Sequence, residues 1–64
     1  MMIRKGMKIN EVLKERTDLR LIDEYIYDDK EYKEYEGHGE DCFCGISIEV
    51  ENGIVVEIEK FMYL

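Results

Sequence analysis

His38, Glu40, Asp41, Cys42 and Cys44 fall within seven consecutive positions, and each is a residue type that can ligate a transition metal. Their spacing argues against a closed site. Alternation along a strand puts Cys42 and Cys44 on one face, the face also taken by Ile46 and Ile48, so both thiols most simply join a core. Structural zinc usually draws two ligand pairs from separate loops, and the chain has no second Cys or His pair. A metal site built from His38, Cys42 and Cys44 would have to be shared between two copies. A disulfide between alternate positions of one strand face is sterically poor. A Cys–His nucleophile fares no better, because Glu40 and Asp41 would raise the thiol pKa where catalysis needs a thiolate. No glycine-rich phosphate loop or Ser-His-Asp arrangement occurs, and no carboxylate pair stands out as general acid and base. The expectation is a protein that is not an enzyme and carries no cofactor.

Charge and aromatic residues are more informative. Net charge is −7, and all of it resides between Asp23 and Asp41, where nine acidic residues face only Lys30 and Lys33. Tyr25, Tyr27, Tyr32 and Tyr35 are interleaved with those acids. Tyrosine offers large contact area and one hydroxyl at low entropic cost, although the same residues can equally pack across a hairpin. Such a surface repels nucleic acid and membranes and suits arginine- and lysine-rich partners. The candidate partner-binding residues are Asp28, Asp29, Glu31, Tyr32, Glu34, Tyr35 and Glu36.

The elements that must position these residues are clearest at the end of the chain. Cys42, Cys44, Ile46, Ile48 and Val50 alternate with Phe43, Gly45, Ser47 and Glu49, and Ile54, Val56 and Ile58 alternate with Val55, Glu57 and Glu59. Both runs read as half-buried strands. A two-residue Asn52-Gly53 turn would set Val50 opposite Val55 and Ile48 opposite Glu57, scattering the apolar residues. A three-residue loop of Glu51, Asn52 and a left-handed Gly53 instead pairs Val50 with Ile54, Ile48 with Val56 and Ile46 with Ile58. Ser47, Glu49, Glu57 and Glu59 then share the opposite face, with Phe43 opposite Phe61.

Upstream, residues 1–8 read as a loose end or a first edge strand. Asn10 is a candidate cap for a short helix over 11–16, with Ile9, Val12 and Leu13 as its buried stripe and Leu19 extending it. Between Asp18 and Glu36, Leu19-Arg20-Leu21-Ile22, Tyr25-Ile26-Tyr27 and the alternation from Tyr32 suggest a second hairpin turning at Asp28-Asp29-Lys30. The rival is a helix starting at Thr17 or Asp18 and stopping at Gly37. Gly37 to Asp41 is a joint. Phe61-Met62-Tyr63-Leu64 is too apolar to float free and either completes the sheet or docks against a second copy.

The fold class expected is α+β: a short N-terminal helix packed on a small antiparallel sheet of two β-hairpins. Sixty-four residues form a single domain, 1–64, near the lower size limit for an independent core, so a homodimer is expected. No apolar run approaches the roughly 20 residues needed to span a bilayer, and the first residues lack the apolar centre of a signal peptide. Two cysteines in so short a chain fit buried thiols in the cytoplasm.

Met7-Lys8-Ile9-Asn10-Glu11-Val12-Leu13-Lys14, Leu19-Arg20-Leu21-Ile22-Asp23, Tyr35-Glu36-Gly37 and the hairpin from Ile48 to Val56 resemble small α+β proteins of phages and prophages. Members of that broad class are often accessory proteins that bind and inhibit host factors, including defence systems. The resemblance implies an inhibitor. Residues 37–44 depart from the pattern, so no functional residue is carried over. The leading expectation is therefore an acidic interaction protein that occupies a basic host surface and, where that surface binds nucleic acid, mimics its phosphates. The alternatives are a dimeric protein sequestering a nucleotide signal with Arg4, Lys5, Lys8, Arg16 and Arg20, the shared metal site, and a structural subunit of a larger assembly.

Overall fold

The computed structural model describes residues 2–39 and 44–62. It contains one helix, α1 (Ile9–Glu15), followed by β1 (Arg20–Tyr27), β2 (Lys30–His38), β3 (Cys44–Glu51) and β4 (Ile54–Met62). The four strands form one antiparallel sheet in chain order. The middle of the chain is thus a hairpin, and the α+β class expected from the alternation is what the chain adopts.

The helix begins earlier than its polar residues suggest. Lys8, not Asn10, is the capping position, no side chain bonds the free N–H groups there, and Asn10 lies within the first turn. Backbone pairing explains the shift. Gly6 N–H donates to the Val55 carbonyl, Val55 N–H to Met7 and Ile9 N–H to Gly53, so residues 6–9 are stitched along the start of β4 and the helix starts where that stitching ends. The N-terminal segment is an edge element, pairing at Lys8 and Ile54.

The final turn corrects the three-residue loop. Glu51 pairs with Ile54, leaving Asn52 and Gly53 as a two-residue turn with φ of 48° and 82°, the left-handed pair of a type I′ turn. The core face of β4 changes with it: Val55 and Ile58, rather than Ile54 and Val56, meet the apolar residues of β3, because β4 carries a bulge. Val50 lies opposite Val55 and Glu49 opposite Glu57, so Val56 is the extra residue and Ile48 meets Ile58 beyond it. Asn52 is also anchored from β2: its N–H donates to the Glu31 carbonyl at 2.7 Å and its Oδ1 accepts from Glu31 N–H at 2.9 Å. The first hairpin turns in the same way, with Asp28 and Asp29 both left-handed and Tyr27 opposite Lys30.

One face of the sheet holds the core. Ile9, Val12 and Leu19 pack against Tyr35, Ile46, Ile48, Val50 and Val55, all buried, with Ile3, Met7, Leu13 and Ile58 at the margin. The stripe expected for α1 is the stripe that packs. Where α1 gives way to β1, Arg16 grips Asp18 with two hydrogen bonds of 2.9 Å, and Asp18 accepts a third from His38 N–H. This clasp pins the connection to the end of β2. It requires Gly37, where a Cβ would stand 2.6 Å from Leu19 Cδ2 and 2.8 Å from Asp18 Oδ2.

Candidate functional site

No helix is long and apolar enough to cross a membrane among the described residues. Among the described residues, the face of the sheet away from α1 carries no buried side chain. Register assigns its occupants, since opposed residues of an antiparallel pair point to the same side. Five rungs lie on it. Arg20, Glu36, Ser47 and Glu59 form one; Asp23, Glu34, Glu49 and Glu57 the next; Tyr25, Tyr32, Glu51 and Ile54 the third; Tyr27 and Lys30 follow on β1 and β2, with Lys30 reaching Glu51 at 3.4 Å; and His38, Gly45 and Phe61 lie at the far end on β2, β3 and β4.

The second rung is a row of four carboxylates spanning the whole sheet. Side chains directly opposed stand about 5 Å apart, and like charges at that spacing destabilise a sheet. Little inside the molecule offsets them. Among the described residues only Glu57 of the four has an ion-pair partner, Lys5 at 3.7 Å, and both are well exposed. Glu34 accepts a hydrogen bond from Ser47 Oγ at 2.9 Å, and Glu49 accepts a long one, 3.4 Å, from the Tyr25 hydroxyl.

Beside the row, the rings of Tyr25 and Tyr32 stack with centroids 5.2 Å apart. The Tyr32 hydroxyl donates to Glu51 at 2.9 Å. That hydrogen bond is the main reason the Tyr32 phenol titrates above its usual range, whereas for Tyr25 partial desolvation leads and the Glu49 charge adds to it. Both rings stay neutral. They present flat, acceptor-rimmed surfaces of the kind that stack with guanidinium groups.

The residues singled out from sequence divide. Tyr32, Glu34 and Glu36 belong to this open face. Asp28 and Asp29 form the exposed tip of the first hairpin. Glu31 points to the helix side, paired with Lys33 at 3.3 Å, a contact that raises the Lys33 pKa. Tyr35 is 8% exposed and packs in the core opposite Ile48, so it offers no contact surface. The residues missed are Asp23, Tyr25, Glu49, Glu51, Glu57 and Glu59. Their signal was the period-2 placement of Glu49, Glu57 and Glu59 on one face, which joins the acids of the first hairpin only when β2 and β3 pair.

The other candidate chemistry is dispersed. Of the metal-ligand set, His38 and Cys44 are described and Glu40, Asp41 and Cys42 lie outside the described residues, as do Phe43, Tyr63 and Leu64. Cys44 is half-buried on the core side. No group of three or more His, Cys, Asp or Glu converges on one point among the described residues. The cations suggested for a phosphate site are held apart: Lys5 is paired with Glu57 at the β4 edge, Arg16 is bound to Asp18, and Arg20 stands on the opposite edge strand. No family model, curated protein or solved structure matches this chain.

Proposed function

We propose that the chain is a non-enzymatic interaction protein whose open, acidic, tyrosine-bearing sheet face occupies a basic surface of another protein. The supporting observation is the row Asp23, Glu34, Glu49 and Glu57. A lone acidic side chain is an ordinary solvated group, but four in lateral register work against the sheet that carries them. A cationic partner turns that self-repulsion into attraction, and the gain is greatest once water is excluded. The Tyr25–Tyr32 stack supplies an aromatic anchor beside the charge. In the phage setting that the resemblance implies, the partner is a host protein, and where its surface binds nucleic acid the carboxylates stand in for phosphates.

The test is capture from a host lysate by tagged wild type and by the triple variant Glu34→Gln, Glu49→Gln, Glu57→Gln, washed at two salt concentrations. A basic protein held by the wild type, released by salt and not held by the variant is the expected result. Equal retention by both, or retention indifferent to salt, overturns the reading.

A further inference from the structure

β1 is left bare in three directions. All eight of its residues are exposed, among them Ile26 at 77% and Tyr27 at 70%, and among the described residues its backbone pairs with no strand other than β2. The cause is the reach of α1. A helix is about 10 Å across and strands lie about 4.8 Å apart, so one seven-residue helix cannot shelter four strands. Every strand residue of the buried core comes from β2, β3 or β4. An unpaired strand edge of this kind is a template for a further strand.

We infer that the outer edge of β1 takes up an extended, arginine- and lysine-rich segment of the partner as a fifth strand. The inference rests on the interaction reading above and adds where the partner's backbone runs. Charge decides between a foreign segment and a second copy. Asp23 and Glu24 project on opposite faces of β1, and Asp28 and Asp29 follow at the turn. A second copy would bring a further Asp23, Glu24, Asp28 and Asp29 to the same edge and add a chain of net charge −7 to one already at −7. A basic segment meets them with opposite charge on both faces of the extended sheet. The bulge at Leu21 to Asp23 interrupts the edge at its start, and the register from Asp23 to Tyr27 is regular. Over that span an antiparallel occupant needs cations beside Asp23 and Glu24, an arginine over Tyr25 and an aliphatic residue beside Ile26.

The probe is therefore the synthetic peptide Ser-Arg-Val-Arg-Lys-Arg-Val-Ser, followed by amide shifts and hydrogen exchange of the isotope-labelled chain. Two control peptides carry glutamate at every basic position, or proline at two adjacent central positions. Adjacent N–H groups alternate in direction, so one proline removes a ladder donor in either register. The expected result is slowed exchange along β1 with the basic peptide only, and about tenfold weaker binding to Asp23→Asn, Glu24→Gln. Absence of binding, shifts confined to Glu49 and Glu57, or equal binding of the proline peptide overturns the inference. So does a β1 already protected in a free protein that sediments as two copies, which would make the second copy the occupant. The two claims fail separately: an edge that binds nothing while row-dependent capture persists removes only the fifth strand. Conversely, edge binding retained alongside capture that ignores the row variant removes only the role of the open face.

Discussion

β1 and β3 are both eight-residue antiparallel strands of one sheet, yet β1 is exposed throughout while β3 alternates buried and half-buried along most of its length. Composition does not explain the contrast. Leu21, Ile22 and Ile26 are as apolar as Ile46, Ile48 and Val50. Position does: β3 lies under α1 and between two strands, whereas β1 lies beyond the reach of the helix. The lesson is that the buried core is built on β2, β3 and β4, and leaves β1 free to present its side chains to solvent.

Ile48 is fully buried, so Ile48→Ala should cost about 2–5 kcal/mol through lost transfer energy and the cavity left behind. Ile26→Ala should stay within about 0.5 kcal/mol, as surface changes do. Urea unfolding of both checks this, and equal losses would mean that β1 is as cohesive as β3.

Gly37 comes next, because it is where the two halves are clasped. Gly37→Ala should cost about 1–3 kcal/mol through overpacking against Leu19 and Asp18, while Gly39→Ala would crowd Cys44 at the same end of the sheet. A Gly37→Ala protein with unchanged Tm would show that the clasp is looser than described.

The clasp itself carries a pH dependence. The Arg16 hydrogen bonds hold the Asp18 carboxyl far below the usual carboxylate range, reinforced by His38 N–H. A depressed folded-state pKa stabilises above the unfolded value and is lost as pH falls toward the folded one. The clasp's contribution should therefore be larger at pH 7 than at pH 2–3, and Asp18→Asn should remove that part of the slope at a cost of about 1.5 kcal/mol. An identical acid slope in wild type and variant would contradict the assignment.

Smallest is the tyrosine signature of the open face. Tyr25 and Tyr32 should ionise above the ordinary phenol range, and Glu51→Gln should bring Tyr32 down. Because the folded pKa values are raised, their contribution is present below the unfolded pKa and lost as pH rises through the folded values. Absorbance of the phenolate follows this directly. Coincident ordinary titration of all five tyrosines would remove the Glu49 and Glu51 contacts from the account.

How much of this was legible follows from which signals are local. Alternation through Ile46, Ile48 and Val50 marked the core face of β3, and Ile9, Val12 and Leu13 marked the stripe of α1 that covers it, since each is a periodicity within one element. The turn at Asn52-Gly53 is two residues rather than three because the bulge at Val56, which brings Val55 and Ile58 to the core face, leaves no mark in the run Ile54-Val55-Val56-Glu57. Asn10 looked like a cap, but the pairing of residues 6–9 with β4 set the helix start. Tyr35 sat among acids and looked like surface, though its parity is opposite to that of Glu34 and Glu36. The carboxylate row was hidden for the most physical reason: Asp23, Glu34, Glu49 and Glu57 are distant in sequence and meet only through three strand registers.

The carboxylates of this row oppose one another across the sheet, and the proposed binding face rests on that opposition. Equilibrium unfolding of the wild type and of Glu34→Gln, Glu49→Gln, Glu57→Gln in low and in high salt tests it most directly. The variant should be more stable by about 1 kcal/mol at low salt, with the difference closing as salt screens the wild-type charges. A variant equal to or less stable than the wild type at low salt would show that the carboxylates do not repel one another, and the argument for a binding face would fall with it.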